Sequence, residues 1–279
     1  MSVINTNVNA LFAQDAMKVN SRAMSSAMQQ LSTGSRINSA KDDAAGLAIG
    51  QSMTSQIRGL NQAVRNANDG INMMQTAEGA LVEQSNMLQR MRELAVQASN
   101  GSYGSAQRDY LQTEFDALST QIGNIASYTS WNGTNLLDGT AKQGPAAGSG
   151  DFIFLVGQNS GETITVAISS STVSALGISA EDISTASGAS DAITVLDDAI
   201  DQINNQRATI GAGINQLTYA ADNLTNISSN VTASRSTIMD TDYAIASTQL
   251  SKSQIVQQAA TAMLAQANQQ PQSVLALLK

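Results

Sequence analysis

The side chains that usually perform acid–base, nucleophilic or metal chemistry are scarce in this sequence. It contains no Cys and no His, which excludes thiol nucleophiles, disulfides, imidazole bases and the common zinc ligands. The remaining candidates are carboxylates, namely the adjacent pair Asp42 and Asp43 and the trio Asp197, Asp198 and Asp201. Two adjacent carboxylates without further ligands do not form an oxygen cage for a cation. We therefore expect no catalytic residue, no cofactor and no metal site.

Helical spacing gives these carboxylates structural roles. The trio lies beside an apolar ladder and is predicted to form a solvated helix face. Ser39 and Asp42 have the spacing of a capping box, which predicts that a helix begins there. The alternative is that Asp42 and Asp43 chiefly contact a neighbouring subunit.

Composition limits the classes of partner. The 279 residues include 42% apolar residues, enough for a core, but only 13% charged residues, about half the usual share. The net charge of −8 argues against a phosphate-binding surface, because duplex binding needs clustered Lys and Arg. No run approaches the roughly eighteen apolar residues of a membrane span, and the first residues lack the pattern of a signal peptide. Neither nucleic acid binding nor membrane insertion is expected.

A coiled-coil repeat in the N-terminal third predicts one long helix from about residue 46 to residue 99. Polar residues interrupt the repeat at Glu78 and Ser85, and a second apolar stripe from Met73 to Ala98 predicts packing on more than one partner. The repeat consists of Ile57, Leu60, Val64, Ala67, Ile71, Met74, Leu81 and Leu88. Asn100 and Gly101 predict its end, a shorter helix is expected over residues 111–125, and a turn is expected at residues 131–133.

The C-terminal third carries a matching ladder. Its polar exceptions, Arg207, Ser228 and Arg235, are predicted to fix the register or to face a neighbouring chain. The ladder consists of Ile193, Leu196, Ile200, Ile203, Ile210, Ile214, Leu217, Ala221, Leu224, Val231 and Ile238. Matching seams predict that the chain folds back on itself and brings residues 46–128 against residues 190–238.

The segment between the two seams differs in composition. Residues 139–150 are typical of a linker, and the β-branched and aromatic runs at residues 152–156 and 163–168 predict a β-hairpin. Residues 169–190 allow no firm prediction. The fold class that follows is mainly α, an elongated, antiparallel, coiled-coil-like bundle with a small β-hairpin.

Both ends of the chain have helical, Ala-rich apolar stripes. The N-terminal stripes are Phe12, Ala16, Val19, Ala23 and Ala27 beside Met17, Met24, Met28 and Leu31, and the C-terminal stripe is Val256, Ala260, Met263 and Ala267. Small side chains bury little area, so a lone pair of such helices is predicted to be marginal. We expect these ends to gain order when neighbouring subunits enclose them.

Short motifs recur in a definite order at the two ends. The N-terminal motifs are Ile4–Asn7, Leu31–Ile49, Ile57–Leu60, Asn66–Ile71 and Gln75–Leu81, and the C-terminal motifs are Ser234–Ala244, Leu264–Asn268 and Val274–Lys279. Each motif alone is weak, but their order and placement are specific. Over about residues 1–137 and 190–279 the chain resembles the bacterial flagellins.

The resemblance implies a layered subunit in which the N- and C-terminal helices pair. It divides the chain into residues 1–45 and 235–279 as the two halves of an inner filament-core domain, residues 46–138 and 190–234 as the two parts of a helical outer-core domain, and residues 139–189 as a short variable region with the hairpin. A large outer domain is not expected.

The resemblance also implies function and partners. The subunit would polymerise with identical copies into the extracellular flagellar filament used for swimming, after export through the type III channel. An export chaperone would hold the C-terminal helix, and the filament cap and hook–filament junction proteins would be neighbours. The subunit-packing candidates are Ile57, Leu60, Val64, Ile71, Ile203, Ile210, Leu217, Leu224, Val231, Leu264, Leu277 and Leu278.

An immune receptor is a further implied partner. Residues 88–97 resemble the segment that Toll-like receptor 5 recognises in many flagellins, which makes Arg90, Leu94 and Glu114 the contact candidates. The residues alone favour a simpler interpretation, in which Arg90 is an exposed helical charge and Leu94 belongs to a packing stripe.

Two other classes are weighed against a filament subunit. One is a coiled-coil adaptor or secreted adhesin that does not polymerise, for which the hook–filament junction protein is the nearest structural cousin. The other is an enzyme with a protease module in the middle of the chain. This middle is only about fifty residues without His or Cys, which excludes the usual protease centres.

Overall fold

The computed structural model describes residues 6–140 and 150–277, with the side chains of residues 270–277 outside that description. Within these ranges the α-helices are α1 (Val8–Thr33), α2 (Ala44–Ser99), α3 (Ser105–Tyr128), α4 (Ala186–Met239) and α5 (Tyr243–Leu277). The strands are β1 (Ser130–Trp131), β2 (Thr134–Asn135), β3 (Asp151–Leu155) and β4 (Thr163–Ala167), and a short 3-10 helix covers Ile178–Ala180. The predicted class, mainly α with antiparallel helices and a small β-hairpin, is confirmed.

The chain divides into two compact units. The first contains residues 1–57 and 229–279, and the second contains residues 58–228. Helices α2 and α4 contribute residues to both units, because the division falls within each of them.

The second unit is built on antiparallel contacts of α2 with α3 and α4. The Asn61 and Arg92 side chains of α2 meet Ser228 and Asp197 of α4, so the two helices run in opposite directions. The core between the elements contains Met74, Leu81, Leu88, Met91, Phe115, Ile122, Leu196, Ile203 and Ile210, all fully buried. Most residues of the two predicted stripes of α2 are buried, since this helix packs on two other helices, while Ile57, Val64 and Ile71 are half-buried.

Polar interruptions of the α4 ladder contact polar residues of α2. Arg207 of α4 approaches Glu78 of α2, with 3.9 Å between a guanidinium nitrogen and a carboxylate oxygen. The Ser228 hydroxyl and the Asn61 side-chain oxygen are 3.0 Å apart. Because apolar side chains fit poorly opposite these groups, such pairs specify the register of α2 against α4.

The predicted hairpin is present and packs through glycine positions on the long helices. Strands β3 and β4 are antiparallel, with Phe152 opposite Val166. A Cβ added at Gly70 of α2 would lie 2.9 Å from the Phe154 ring, and one at Gly213 of α4 would lie 2.7 Å from a methyl carbon of Val166. Only glycine allows the hairpin to approach both helices this closely.

The start of α2 differs from the prediction. Ser39 and Asp42 form a turn in which the Asp42 carboxylate accepts from the Ser39 backbone N–H and hydroxyl, and these bonds lower the pKa of Asp42. The helix begins only at Ala44, and the Asp43 side chain caps it by accepting from the Gly46 N–H at 2.9 Å. The capping-box prediction was wrong. The bonds between Ser39 and Asp42 close a local turn before the helix and do not cap its first turn.

Two turns agree with the prediction in more detail. Helix α2 ends at Ser99, directly before Asn100. At the predicted turn, Asn132 and Gly133 have φ values of 49° and 80° and connect β1 to β2. Positive φ at both positions is the geometry of a type I′ hairpin, for which Asn-Gly is the preferred dipeptide.

Glutamine side chains anchor the segment for which the sequence allowed no prediction. Gln84 of α2 donates to the Ser171 carbonyl oxygen at 3.3 Å, and Gln206 of α4 donates to the Ser169 carbonyl oxygen at 2.7 Å. The Gln112 oxygen of α3 accepts from the Ile183 N–H at 2.7 Å. These long-range bonds replace the backbone partners that an irregular segment lacks. The predicted linker at residues 139–150 lies mostly outside the described residues.

Candidate assembly surface

The first unit is built on the antiparallel pairing of α1 with α5. Asn7 caps α1 by accepting from the Ala10 N–H at 3.1 Å, and its amide donates to the Ala267 carbonyl oxygen at 2.8 Å. Thirteen residues further along α1, the Asn20 amide donates to the Ser253 carbonyl oxygen at 2.7 Å. The two asparagines therefore set the register of α1 against α5. The side chains buried between these helices are small and include Ala10, Ala27 and Ala246.

The paired segments that precede α2 and follow α4 belong to the same unit. The Arg36 N–H donates to the Met239 carbonyl oxygen at 2.7 Å, and its guanidinium donates to the Ile238 carbonyl oxygen at 2.7 Å. The Thr241 N–H donates to the Gly34 carbonyl oxygen, where Gly34 takes a left-handed φ of 70°. These bonds satisfy the last carbonyl groups of α4 and the C-terminus of α1.

Large apolar side chains are exposed along both helices of the first unit. Phe12 is 71% exposed, Ile245 is 70% exposed and Met263 is 65% exposed. The others on α1 and α5 are Val8, Leu11, Val19, Met28, Tyr243, Ile255 and Val256. Scattered exposed apolar residues are ordinary, but this many on two paired helices leave the α1–α5 pair with much apolar surface in contact with water.

This surface contains a groove of about 560 Å³ between α1 and α5. Its walls are Phe12, Ala13 and Ala16 on one helix and Val256, Ala260 and Met263 on the other. Half of the lining residues are alanines, so little side-chain volume fills the space between the two helices. Its shape and chemistry fit an apolar helix ridge better than a polar ligand.

Family comparisons match both ends of the chain. A family model described as the bacterial flagellin N-terminal helical region matches residues 4–142, and one described as the bacterial flagellin C-terminal helical region matches residues 193–278. The chain belongs to the flagellin family.

Relatives of the flagellin family match over nearly their whole length. "Flagellin" of Halalkalibacterium halodurans is 44% identical over 280 residues, covering 99% of this chain and 100% of the relative. "Flagellar filament 33 kDa core protein" of Treponema phagedenis is 41% identical over 285 residues, covering 99% and 100%. Because these alignments are barely longer than this chain, the two relatives share its short middle region without a large outer domain.

A solved flagellin structure is similar in fold. The crystal structure of Bacillus cereus flagellin has a TM-score of 0.51 at 34% identity, covering 57% of this chain and 88% of that chain. Flagellins are structural proteins, and the resemblance inferred from the terminal motifs is confirmed.

The subunit-packing candidates of this flagellin fall into three groups. Five lie in the core of the second unit: Leu60, Ile203, Ile210, Leu217 and Leu224. Five others are half-buried: Ile57, Val64, Ile71, Val231 and Leu264. The Leu277 side chain and Leu278 lie outside the described residues. The five buried side chains hold the helices of one chain together and are not open to another copy, whereas Phe12, Val256 and Met263 of the terminal stripes are.

Of the three receptor candidates of this flagellin, Arg90 and Glu114 are exposed and Leu94 is buried. Arg90 of α2 donates to the Glu114 carboxylate of α3 at 2.9 Å and to Glu93 at 3.0 Å, and all three side chains face solvent. Glu114 and then Glu93 raise the pKa of Arg90 above its ordinary value, so the guanidinium stays charged. Leu94 is only 1% exposed and packs in the core.

Neither a metal cluster nor a membrane span is found in the described part of this flagellin. Within residues 6–140 and 150–277, no three acidic side chains converge in a way that could hold an ion. None of the helices described there combines the length and hydropathy needed to cross a bilayer. Asp197 is bound by Arg92, which lowers its pKa, and it lies on a half-exposed helix face as predicted for the acidic trio.

Proposed function

We propose that the chain is a structural subunit that polymerises with identical copies into the helical flagellar filament used for swimming. One observation carries the proposal: the α1–α5 pair exposes Phe12, Val256 and Met263 around an apolar groove and buries few residues of its own, whereas the second unit has an extensive apolar core. The name of the Treponema relative, a flagellar filament core protein, supports the same role. A second copy is the natural cover for the groove.

The contacts that cover this surface are heterologous. A groove on one copy receives a different surface of the next, and such contacts build an open helix when the rotation between copies does not close. Burying a side chain such as Phe12 or Met263 stabilises the contact by roughly 1.5–3 kcal/mol. Several such side chains per subunit are enough to order a pair of Ala-rich helices that is marginal alone.

The decisive experiment measures growth from filament seeds. Phe12→Gln and Met263→Gln should slow elongation at least tenfold in a light-scattering assay, with fibre length checked by negative-stain microscopy. Gln14→Ser is the matched control, because Gln14 is an exposed, uncharged polar residue of α1. Fast growth of both apolar variants would show that the groove is not an assembly contact.

A deletion tests the C-terminal helix as a whole. Removing residues 270–279 should abolish filament growth while the helices of the second unit stay folded by circular dichroism. If the wild-type chain itself grows no fibres from seeds, the rival function, a non-polymerising adaptor, is supported instead.

The further partners follow from the same surface. An export chaperone would cover α5 before secretion, and the filament cap and hook–filament junction proteins would meet the ends of the polymer outside the cell. Ile245, Ile255 and Val256 of α5 are exposed and give a chaperone an apolar helix face to hold. Ile255→Ser should weaken co-purification of a chaperone, and Lys252→Gln is the control on the same helix.

The domain division implied by the family is proposed unchanged. Residues 1–45 and 235–279 form the inner domain, residues 46–138 and 190–234 form the helical outer-core domain, and residues 139–189 form the variable region. The chain performs no catalysis in this proposal. A peptidase assay on intact filaments with a broad protein substrate tests that statement, because any turnover would contradict it.

Recognition by Toll-like receptor 5 is a separate proposal. Arg90 and Glu114 would contact the receptor, while Leu94 would support them from the core beneath. Arg90→Ala and Glu114→Ala should reduce activation of receptor-expressing reporter cells, whereas Arg92→Ala, on a neighbouring face of α2, should not. Full activation by both variants would contradict the proposed contact.

A further inference from the structure

A cavity in the second unit is lined by aromatic side chains and by a carboxylate that has no partner among the described residues. It has a volume of about 330 Å³ and lies between α2, the β1–β2 turn and β3. We propose that it receives the guanidinium or ammonium group of an Arg or Lys side chain from a second copy of this chain. The proposal rests on the proposed polymerisation and names one contact within it.

Aromatic side chains are concentrated around this cavity. The whole sequence has one Trp and four Phe, and Trp131, Phe152 and Phe154 all line it. Trp131 remains 37% exposed, although it is the largest apolar side chain of the protein. Aromatic rings attract cations through their negative faces, and Trp does so most strongly. The aromatic lining therefore favours a cation with an apolar stem.

A carboxylate lies in the same wall. Asp69 of α2 lines the cavity and is exposed. Within the described residues, 6–140 and 150–277, its carboxylate accepts no hydrogen bond and joins no ion pair, in contrast to Asp197 or Glu114. A free carboxylate beside aromatic rings stabilises a cation and repels an anion.

The neighbouring Asn66 amide already makes two hydrogen bonds within the chain. Asn66 donates to the Leu155 carbonyl oxygen at 3.2 Å, and its oxygen accepts from Gln62 at 2.9 Å. The cavity thus combines aromatic surface with an unpaired negative charge, and its volume falls at the lower end of the roughly 300–1,000 Å³ of sites that hold small groups.

The charges of the two units identify the source of the cation. The first unit has seven Lys and Arg against five Asp and Glu, a net charge of +2, and the second has seven against seventeen, a net charge of −10. Such a chain attracts the first unit of another copy to its own second unit. A free cation would also fit the chemistry, but only a second copy supplies it at fixed stoichiometry in a polymer.

Trp131 makes the proposal directly measurable, because it is the sole Trp and its fluorescence reports this cavity alone. During seeded growth of the wild type, the Trp131 emission should change. Asp69→Asn should reduce that change and raise the critical concentration roughly two- to fivefold. Asp222→Asn removes the same charge from an exposed position of α4 in the same unit and should behave as the wild type.

A titration separates the two sources of the cation. N-acetyl-arginine amide should compete with growth and alter the Trp131 emission of the monomer, whereas the neutral isostere N-acetyl-citrulline amide should do neither. If Asp69→Asn grows like Asp222→Asn with an unchanged Trp131 signal, the proposal is overturned. If the arginine probe binds the monomer but growth leaves Trp131 unaffected, the cavity is a site for a free cation and the second copy is rejected.

The outcome also distinguishes this inference from the function on which it rests. Failure of the wild type and of all variants to grow would refute polymerisation, and with it the proposed occupant. Normal growth of the wild type and of Asp69→Asn, with the same Trp131 signal in both, would leave polymerisation intact and refute only the cation contact.

Discussion

Replacement of Gln84 by Met should lower the free energy of unfolding by about 1–2 kcal/mol. Gln84 lies on α2 with its side chain fully buried in the second unit. Its amide donates to the Ile122 carbonyl oxygen of α3 at 3.2 Å and to the Ser171 carbonyl oxygen at 3.3 Å. A single side chain thus joins α2, α3 and the segment before α4.

The expected loss of stability follows from the two hydrogen bonds that the substitution removes. Met is similar in length to Gln and fills the same space, so no large cavity forms. Each lost hydrogen bond contributes about 0.5–1.5 kcal/mol, so the two bonds together contribute about 1–3 kcal/mol, and bonds longer than the usual 2.9–3.0 Å or so fall in the lower part of that range. The Gln84 oxygen has no partner among the described residues, so removing it offsets part of the loss.

Thermal denaturation followed by circular dichroism measures the effect. For a unit of this size, about 1 kcal/mol shifts the midpoint by roughly 2–4 °C, so a decrease of about 2–8 °C is expected. Gln75→Met, at an exposed position of the same helix, should change the midpoint very little. An unchanged or raised midpoint for Gln84→Met would refute the reasoning, because it would mean that apolar packing outweighs both hydrogen bonds.

Three further predictions concern other elements. Gly213→Ala should destabilise the protein by about 1–3 kcal/mol because its methyl group would overlap Val166, whereas Gly211→Ala, with open space around it, should be neutral or stabilising in the same melts. Asp43→Ala should cost about 0.5–2 kcal/mol through the lost cap of α2, measured by chemical denaturation. Arg92 lowers the pKa of Asp197, so the stabilisation is present above the ordinary carboxyl pKa and is lost as the pH falls through the lowered one. The stability difference between the wild type and Asp197→Asn, measured by denaturant titration, should therefore vanish in acid; a difference that persists there would contradict the ion pair.

The long helices could be predicted because their signal is local and repeated. Each turn of α2 and α4 adds another apolar residue to the same ladder, so single polar exceptions such as Glu78 or Ser228 do not obscure the period. The hairpin was also predicted, since β-branched runs flank a turn-forming segment. Helix boundaries were less certain, because Asp42 and Asp43 are chemically identical and only their partners decide which one caps the helix.

The sequence did not show which apolar residues stay exposed. Phe12 and Phe115 both stand in helical stripes, but Phe115 is buried and Phe12 is 71% exposed. The difference depends on which elements cover each stripe, and tertiary structure alone decides that. The bonds of Gln84, Gln112 and Gln206 were missed for the same reason, because their partners lie between 37 and 87 residues away in the chain.

The contrast between the two units has a thermodynamic consequence. The second unit obtains its apolar burial from its own helices, so its stability should not depend on protein concentration. The first unit leaves Phe12, Ile245 and Met263 exposed, and any partner that covers them stabilises the folded form by mass action. Hydrogen exchange in the α1–α5 pair should therefore slow as seeds are added, while exchange in α2 near Leu81 stays constant. Equal protection of both units in the free monomer would mean that α1 and α5 are stable without a neighbour, because their own contacts suffice.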